Sequence, residues 1–176
     1  KYIFVVPMYI RVKKRRSKIA TYDYAYETKS VRTKQGPRQI VVSYLGRVHY
    51  FIDNYLSLPF YLSTNDLERY FRDKSLKNTA KELLICELIR HGFSKLDNVL
   101  TNSAFTVNLD DKTVKLHSND KVVLKIHKGY LCTKTLTKCF KDIESKFDTK
   151  QLIKSLLLVG LDPDESTFTK VFRGKI

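Results

Sequence analysis

The amino-acid sequence predicts an α+β fold, and three observations lead to this prediction. Residues Tyr9–Leu45 alternate between apolar and polar side chains, which is the two-residue period of half-buried strands. Apolar residues later in the chain recur at helical spacing behind capping residues. Strand-like runs return between residues 98 and 126. We therefore expect a basic three-stranded antiparallel N-terminal sheet in residues 1–50, joined to a mixed core of helices and a second small antiparallel sheet in residues 51–176.

The N-terminal sheet is predicted to be a meander. Its parts are, in chain order, Tyr9–Lys14, a charged hairpin tip at Arg15–Lys18, Ala20–Val31, a turn at Lys34–Pro37, and Arg38–Leu45, ending at Gly46. Because side chains alternate along a strand, Ile10 and Val12 should face inward while Arg11 and Lys13 face outward. A sheet this small needs a cover, which the apolar stretch His49–Leu62 is expected to supply as a helix or an ordered loop.

The remaining elements are predicted from caps, apolar stripes and turn residues. The first helix is expected from Ser63 or Thr64 to Phe71, and the second from a capping box at Thr79 and Glu82 to Gly92. The third is expected along the stripe Leu136, Phe140, Ile143 and Phe147, and the fourth from Asp148 to Gly160 with the stripe Leu152, Ile153, Leu156 and Leu157. The fifth is expected after Asp162, with Pro163 in the first helical position and Phe168 and Phe172 packing inward. Strands are expected at Phe105–Leu109, Thr113–Leu116 and Val122–Ile126, with a turn at Lys128–Tyr130.

The charge of the chain is high and uneven. The formal net charge is +15 at pH 7. Residues 1–50 hold 12 Lys and Arg against Asp23 and Glu27, a net charge of +10, whereas residues 51–176 hold 21 against 16, a net charge of +5. A field concentrated in this way favours a polyanionic partner, which is nucleic acid or, less often, an anionic membrane surface.

Candidate nucleic-acid-binding residues lie in the predicted meander. The cations are Arg11, Lys13, Lys14, Arg15, Arg16, Lys18, Arg32, Lys34, Arg38 and Arg47. Such cations neutralise phosphates, and the alternative is a solvated sheet face that protects an edge from aggregation. Tyr22, Tyr24 and Tyr26 share one face of the second strand, where tyrosines either stack on bases or, as we expect for this row, pack on a neighbouring layer. Tyr22 and Tyr24 stay among the candidate contacts.

One segment of the chain resembles a known family. Its pattern is Met-Tyr-Ile-Arg-Val-Lys-Lys at Met8–Lys14, a tyrosine-rich second strand, and Tyr-Leu-Gly-Arg-Val at Tyr44–Val48. This pattern resembles the N-terminal module of some insertion-sequence transposases and of small archaeal proteins that carry the segment without a transposase body. The resemblance covers residues 8–48 of 176. It implies a DNA-contacting or other nucleic-acid-contacting accessory module, and it implies no strand-transfer chemistry, because the rest of the chain departs from the family.

No motif of an enzyme, a metal site or a cofactor site is found in the sequence. It contains no phosphate-binding glycine loop and no nucleophile motif, and its four histidines lie far apart. Convergence of His117 and His127 with Cys132 and Cys139 is conceivable in space, but their spacing fits no metal motif. We therefore expect no enzyme activity, no metal and no cofactor.

The cysteines and the hydropathy predict a cytoplasmic protein. Cys86, Cys132 and Cys139 are spaced unlike a disulfide framework, which indicates buried thiols in a reducing compartment. No apolar run reaches the roughly 18–20 residues of a membrane span, so no membrane partner is expected. Residues Tyr2–Val6 are expected to form a short edge strand, and Met8 is a candidate for the native start.

The sequence therefore predicts a non-enzymatic protein that binds the nucleic-acid backbone through its basic N-terminal sheet, with double-stranded DNA as the favoured target. Three alternatives remain open. The first is a ribosome-associated or structured-RNA-binding protein, and the second is a protein-interaction module whose C-terminal helices dock a partner. The third is an accessory of a nuclease or recombinase. Relative affinity for duplex DNA and folded RNA, the oligomeric state, and metal-dependent cleavage distinguish them.

Overall fold

The computed structural model describes residues 9–51, 62–145, 149–173 and 175. In these residues the strands are β1 Tyr9–Arg16, β2 Thr21–Thr33, β3 Gly36–Tyr50, β4 Ser94–Leu96, β5 Val99–Thr101, β6 Phe105–Asn108, β7 Thr113–Leu116, β8 Val122–Ile126 and β9 Gly129–Leu131. The helices are α1 Leu67–Phe71, α2 Leu76–Arg90, α3 Thr133–Glu144, α4 Thr149–Leu158 and α5 Glu165–Phe172. One sheet has the order β1-β2-β3-β8-β9 and the other β4-β5-β6-β7, so the predicted α+β class is confirmed.

The predicted meander is confirmed in order and direction, because β1, β2 and β3 pair antiparallel. Ile10 and Val12 are half-buried and pack on a small apolar cluster, as the alternation predicts. The first turn is shorter than expected. Arg15 and Arg16 belong to β1, and the turn closes through a hydrogen bond of 2.8 Å from the Ser17 N–H to the Ala20 carbonyl.

The predicted end of the third strand at Gly46 is wrong. β3 continues to Tyr50, and its segment Arg47–Tyr50 pairs in parallel with β8. Gly46 has φ +138°, and a Cβ on it would lie 2.6 Å from the Lys121 carbonyl oxygen. Glycine is therefore required here because the chain just before β8 approaches the β3 backbone closely, and not because the strand stops.

The later strands differ from the prediction in three ways. β4 and β5 were not predicted as separate strands, and they complete the second sheet with β6 and β7. β8 joins the first sheet and not the second. Gly129 and Tyr130, predicted as a turn, begin β9, which pairs antiparallel with β8. The first sheet thus crosses the boundary expected at residue 50.

Two predicted helix stops are confirmed. Gly92 has φ +82°, and the Phe93 N–H donates a hydrogen bond to the Leu88 carbonyl at 3.1 Å. Both features are those of a left-handed cap, which ends α2. Gly160 has φ +92° and ends α4, with the Leu161 N–H donating to the Leu156 carbonyl at 3.0 Å.

The predicted start of the first helix at Ser63 or Thr64 is wrong, because α1 begins at Leu67 behind the cap Asp66. Two further predicted helix starts are wrong. α2 begins before Thr79, because the Ser75 side chain accepts a hydrogen bond of 3.2 Å from the Asn78 N–H and caps the helix there. α5 begins after Pro163, because Asp164 is the cap and accepts a hydrogen bond of 2.9 Å from the Thr167 N–H. In both cases a second capping residue lay near the predicted one, and local patterns alone do not rank them.

The apolar stripes are largely as predicted. Leu136, Phe140, Leu152, Leu156 and Phe172 are buried, whereas Ile153 is exposed. The five buried residues belong to the main core, which joins all five described helices to β5–β9. A smaller apolar cluster of Ala25, Leu45, Val48, Val123 and Cys132 lies on the other face of the first sheet. Some predictions fall outside the described residues. They concern Tyr2–Val6, Phe147, Asp148 and nearly all of the stretch after Phe51.

We predict that Gly46→Ala lowers the free energy of unfolding by more than about 2 kcal/mol. A left-handed backbone costs an L-residue about 1–2 kcal/mol, and the methyl group against Lys121 adds about 1–3 kcal/mol of overpacking. Gly36→Ala is the matched control, because Gly36 has φ +105° but nothing within 4 Å of its added Cβ. Equal losses for the two variants in urea unfolding would contradict the close approach.

Candidate nucleic-acid interface

Alternate residues of β1 and β2 place cations and tyrosines on the same face of the first sheet. Across the β1–β2 ladder, Arg11 lies opposite Tyr26, Lys13 opposite Tyr24, and Arg15 opposite Tyr22. On the other side of β2, Tyr24 lies opposite Arg47 and Tyr26 opposite Tyr44. Paired residues of a sheet share a face. We call this surface the cation–tyrosine face; its members are Arg11, Lys13, Arg15, Tyr22, Tyr24, Tyr26, Tyr44 and Arg47.

The tyrosines of this face pack against its cations. The guanidinium carbon of Arg47 lies 3.8 Å from the ring centroid of Tyr22, and that of Arg15 lies 5.7 Å from the ring centroid of Tyr24. Lys13 Nζ lies 5.3 Å from the ring centroid of Tyr26. At exposed sites such cation–π contacts contribute about 0.5–1 kcal/mol each. They hold the cations in place over half-buried rings, so the tyrosines orient charge, a role that the sequence did not indicate.

Tyr44, which was not a predicted site residue, joins the tyrosine row. Its ring centroid lies 6.2 Å from that of Tyr24 and 5.5 Å from that of Tyr26. Partial burial, together with these two neighbours, raises the pKa of Tyr44. The alternation of β3 indicated which of its residues share a side, but only the strand register shows that Tyr44 lies beside the tyrosines of β2.

The two acidic residues of the meander lie on the opposite face. Asp23 accepts a hydrogen bond from the Tyr50 hydroxyl. Glu27 accepts hydrogen bonds from the Ser43 hydroxyl, at 2.9 Å, and from Lys134 of α3. Burial by itself would raise the pKa of Glu27, but these two hydrogen bonds and the Lys134 charge lower it overall. No carboxylate of the meander therefore lies on the cation–tyrosine face, although Asp120 of the β7–β8 connection is close enough to Tyr44 to help raise its pKa.

The structure divides the ten predicted cations among three places. Arg11, Lys13, Arg15 and Arg47 lie on the cation–tyrosine face. Lys14 and Arg16 point to the opposite face, and Lys18 lies in the β1–β2 turn. Arg32, Lys34 and Arg38 lie at the far end of the β2–β3 hairpin. None of the ten forms an ion pair with a carboxylate of the described residues.

The two hairpin ends lie far apart. β2 has 13 residues, and a strand rises about 3.3 Å per residue, so the turns at its two ends are about 40 Å apart. The sequence placed these cations in one continuous stretch. In the fold they form a long surface with a cluster of charge at each end.

A lysine-rich groove adjoins the cation–tyrosine face and was missed by the sequence analysis. It has a volume of about 900 Å³ and lies between β3, the β7–β8 connection and α3, with Tyr44 on its wall. Its lysines are Lys115, Lys121, Lys134, Lys138 and Lys141. Lys115, Lys121 and Lys141 form no ion pair within the part of the chain that the structure describes. Charge counts along the chain could not find this groove, because its lysines come from separate segments and Asp120 and Asp142 lie among them.

A separate cluster joins Glu87 and His91 of α2 to His127 of the β8–β9 turn. It is the one group of three or more potential metal-ligating side chains found among the described residues. His117 is exposed, and Cys132 and Cys139 are buried free thiols that do not join this cluster. The convergence considered from the sequence therefore does not form, and a different one does.

Comparison with known proteins adds no assignment: the chain matches no protein-family model, no curated protein and no solved structure. Within the described residues, every helix is too short or too polar to cross a membrane.

We predict that the Tyr50–Asp23 hydrogen bond makes stability sensitive to alkaline pH. This bond, with a smaller effect of burial, raises the pKa of Tyr50 to about 12, whereas a tyrosine in an unfolded chain ionises near pH 10. The stabilisation is therefore complete below about pH 10 and is lost as the pH rises towards 12. Tyr50→Phe should remove this part of the pH dependence and lower stability at pH 7 by up to about 1 kcal/mol.

Urea unfolding at pH 7, 10 and 11 measures both effects. Tyr9→Phe is the control, because Tyr9 is also an exposed tyrosine of this sheet. If the wild-type and Tyr50→Phe stabilities fall in parallel above pH 10, the hydrogen bond does not stabilise the fold.

Proposed function

We propose that this protein binds nucleic acid by contacting the phosphate backbone through the cation–tyrosine face, with double-stranded DNA as the preferred target. One observation carries the proposal. Arg11, Lys13, Arg15 and Arg47 share a face that contains no carboxylate of the meander, while Asp23 is on the opposite face. Like charges gathered in this way repel one another, and phosphates relieve the repulsion.

The contacts of these cations favour binding to phosphates over stacking on bases. Arg47 and Lys13 already lie over tyrosine rings, so those ring surfaces are occupied by cations. A guanidinium held over a ring keeps its N–H donors free for phosphate oxygens and loses less rotamer freedom on binding. The proposed interaction is thus electrostatic, independent of base sequence and strongly dependent on salt.

The length of the surface favours a duplex. Cations lie at both ends of β2, about 40 Å apart, which is close to the roughly 34–36 Å of one turn of B-form DNA. A duplex lying along β2 would meet the two hairpin ends about one turn apart, with the cation–tyrosine face along the half of β2 nearer the β1–β2 turn. Folded RNA offers a similar density of phosphates and is the alternative that the experiment must separate.

A protein-interaction function is the second candidate, and one observation favours it. Ile40, Val41 and Val42 of β3 are 40%, 50% and 47% exposed, so apolar side chains on both faces of this hairpin meet solvent. Exposed apolar strands are sites of pairing with other chains. In the C-terminal helices, by contrast, Ile153 is the large apolar residue that is exposed within the described part.

We predict that replacing Arg11, Lys13 and Arg15 together with Gln weakens binding to duplex DNA. Each lost phosphate contact reduces the slope of log K against log salt by about 0.9, so the slope should fall by about 2.7 in magnitude. Fluorescence anisotropy titrations between 50 and 200 mM salt, with a labelled duplex of mixed sequence, measure it.

The matched control replaces Lys150, Lys154 and Lys170 with Gln. It removes the same formal charge from exposed positions of α4 and α5, and not from the meander. We expect it to change the slope by less than about 1. Equal effects of the two triple variants would mean that only the total charge matters. Tighter binding of a folded RNA than of the duplex at equal salt would favour the RNA alternative.

A further inference from the structure

Glu87, His91 and His127 bring three ligating atoms to one point, away from the cation–tyrosine face. Glu87 Oε1 lies 3.1 Å from His91 Nε2 and 2.8 Å from His127 Nε2. All three ligating atoms lie within 4.8 Å of one another. The Glu87 side chain is 9% exposed, that of His91 2% and that of His127 20%, so the cluster is buried except on the His127 side.

The backbone holds each member in position. Glu87 and His91 are four residues apart at the end of α2, on the same face of the helix. The turn at Gly92, with Phe93 buried behind it, fixes the helix end. His127 has φ +45° at the first position of the two-residue turn between Ile126 and Gly129, where glycine is usual. The His127 ring lies against Glu87, so this turn directs an imidazole at the end of α2.

The distances suit a bound cation. Bonds of about 2.0–2.2 Å to a tetrahedral metal place neighbouring ligand atoms about 3.3–3.5 Å apart. The separations of 3.1 and 2.8 Å between Glu87 Oε1 and the two imidazole nitrogens require an opening of only a few tenths of an ångström, and the two nitrogens lie within 4.8 Å of each other. Two imidazoles and one carboxylate form a donor set typical of Zn²⁺ and Fe²⁺, whereas Mg²⁺ and Ca²⁺ prefer oxygen ligands.

We propose that Glu87, His91 and His127 bind a divalent transition-metal ion, with Zn²⁺ as the best match to this donor set. Arg90 Nη1 lies 3.0 Å from Glu87 Oε2, which orients the carboxylate and leaves Oε1 directed at the two histidines. Outer partners of this kind position metal ligands in known sites.

His127 also lines a cavity, so the cluster meets this cavity at the His127 ring. This cavity has a volume of about 360 Å³ and is lined by Tyr50, Phe51, Lys125, His127, Lys128 and Asp162. Three protein ligands and an open position accept a water molecule or a small anion. Lys125 lies on the cavity wall, and Lys128 there pairs with Asp162 at 3.4 Å, so the wall carries charges of both signs. The site is independent of the proposed nucleic-acid function.

The competing explanation is a metal-free network in which both imidazoles donate hydrogen bonds to Glu87. Titration of the chelator-treated full-length chain with Zn²⁺, by calorimetry, and with Co²⁺, by its visible d–d absorption, separates the two. His127→Asn is the test variant, because asparagine accepts positive φ and its side chain is polar. His117→Asn is the matched control, because His117 is exposed and outside the cluster.

We expect one equivalent of Zn²⁺ to bind the wild type and the His117→Asn variant with affinities within about twofold. In His127→Asn the affinity should fall by more than about 100-fold, since the loss of an outer partner alone costs about 10–100-fold. In the wild type, Zn²⁺ should also shift the imidazole NMR signals of both His91 and His127. The proposal is overturned if the wild type binds no equivalent, if His127→Asn binds as tightly as the wild type, or if those signals do not move.

Discussion

The position of the N-terminal cations relative to the rest of the molecule depends on the pairing of β3 with β8. In the sheet order β1-β2-β3-β8-β9, the first two strands are hydrogen-bonded to the rest of the sheet through β3. That pairing involves four residues, Arg47–Tyr50, directly after Gly46. A side chain at Gly46 would collide with the Lys121 and Val122 backbone, so the absence of a Cβ there allows the two chain segments to meet. The interaction between Lys134 and Glu27 adds a side-chain connection between α3 and β2.

The cation–tyrosine face and the main core occupy the same face of the first sheet. Arg47, His49 and Phe51 alternate along β3 and point to one side. The His49 ring contacts Phe105 at 4.9 Å and the Phe51 ring contacts Phe93 at 5.9 Å, inside the core. Burial, together with the nearby Arg47 charge, lowers the pKa of His49. The main core therefore covers this face of the sheet at β8 and the end of β3. The cations and tyrosines lie on the part of the same face that is formed by β1, β2 and the neighbouring part of β3.

The sequence predicted those features that local patterns determine. The strands of the meander follow from alternation, and the ends of α2 and α4 follow from Gly92 and Gly160, because these signals lie within a few residues of what they determine. Gly46 shows the limit. Its local context is that of a strand end, and the segment that explains it, at Lys121, lies about 75 residues later in the chain.

The candidate sites follow the same division. Alternation predicted that Arg11 and Lys13 face outward, whereas Arg15 was predicted in the hairpin tip; the tyrosine partners of all three follow from the register of the pairing. The lysine-rich groove and the cluster of Glu87 and His127 join residues that are distant in the chain. Forty positions separate Glu87 from His127, and no spacing rule connects a helix end to a hairpin turn.

Protection of an exposed sheet against aggregation would also place charged residues on the cation–tyrosine face, and the arrangement of charge distinguishes the two explanations. Edge protection needs only a few charges, and mixed signs serve it with less repulsion. On this face Arg11, Lys13, Arg15 and Arg47 form no ion pair with a carboxylate of the described residues, while Asp23 and Glu27 lie on the other side. Gathering one sign of charge adds repulsion that protection does not require. A polyanion offsets that repulsion on binding, so the segregation of charge favours a binding surface over a passive one.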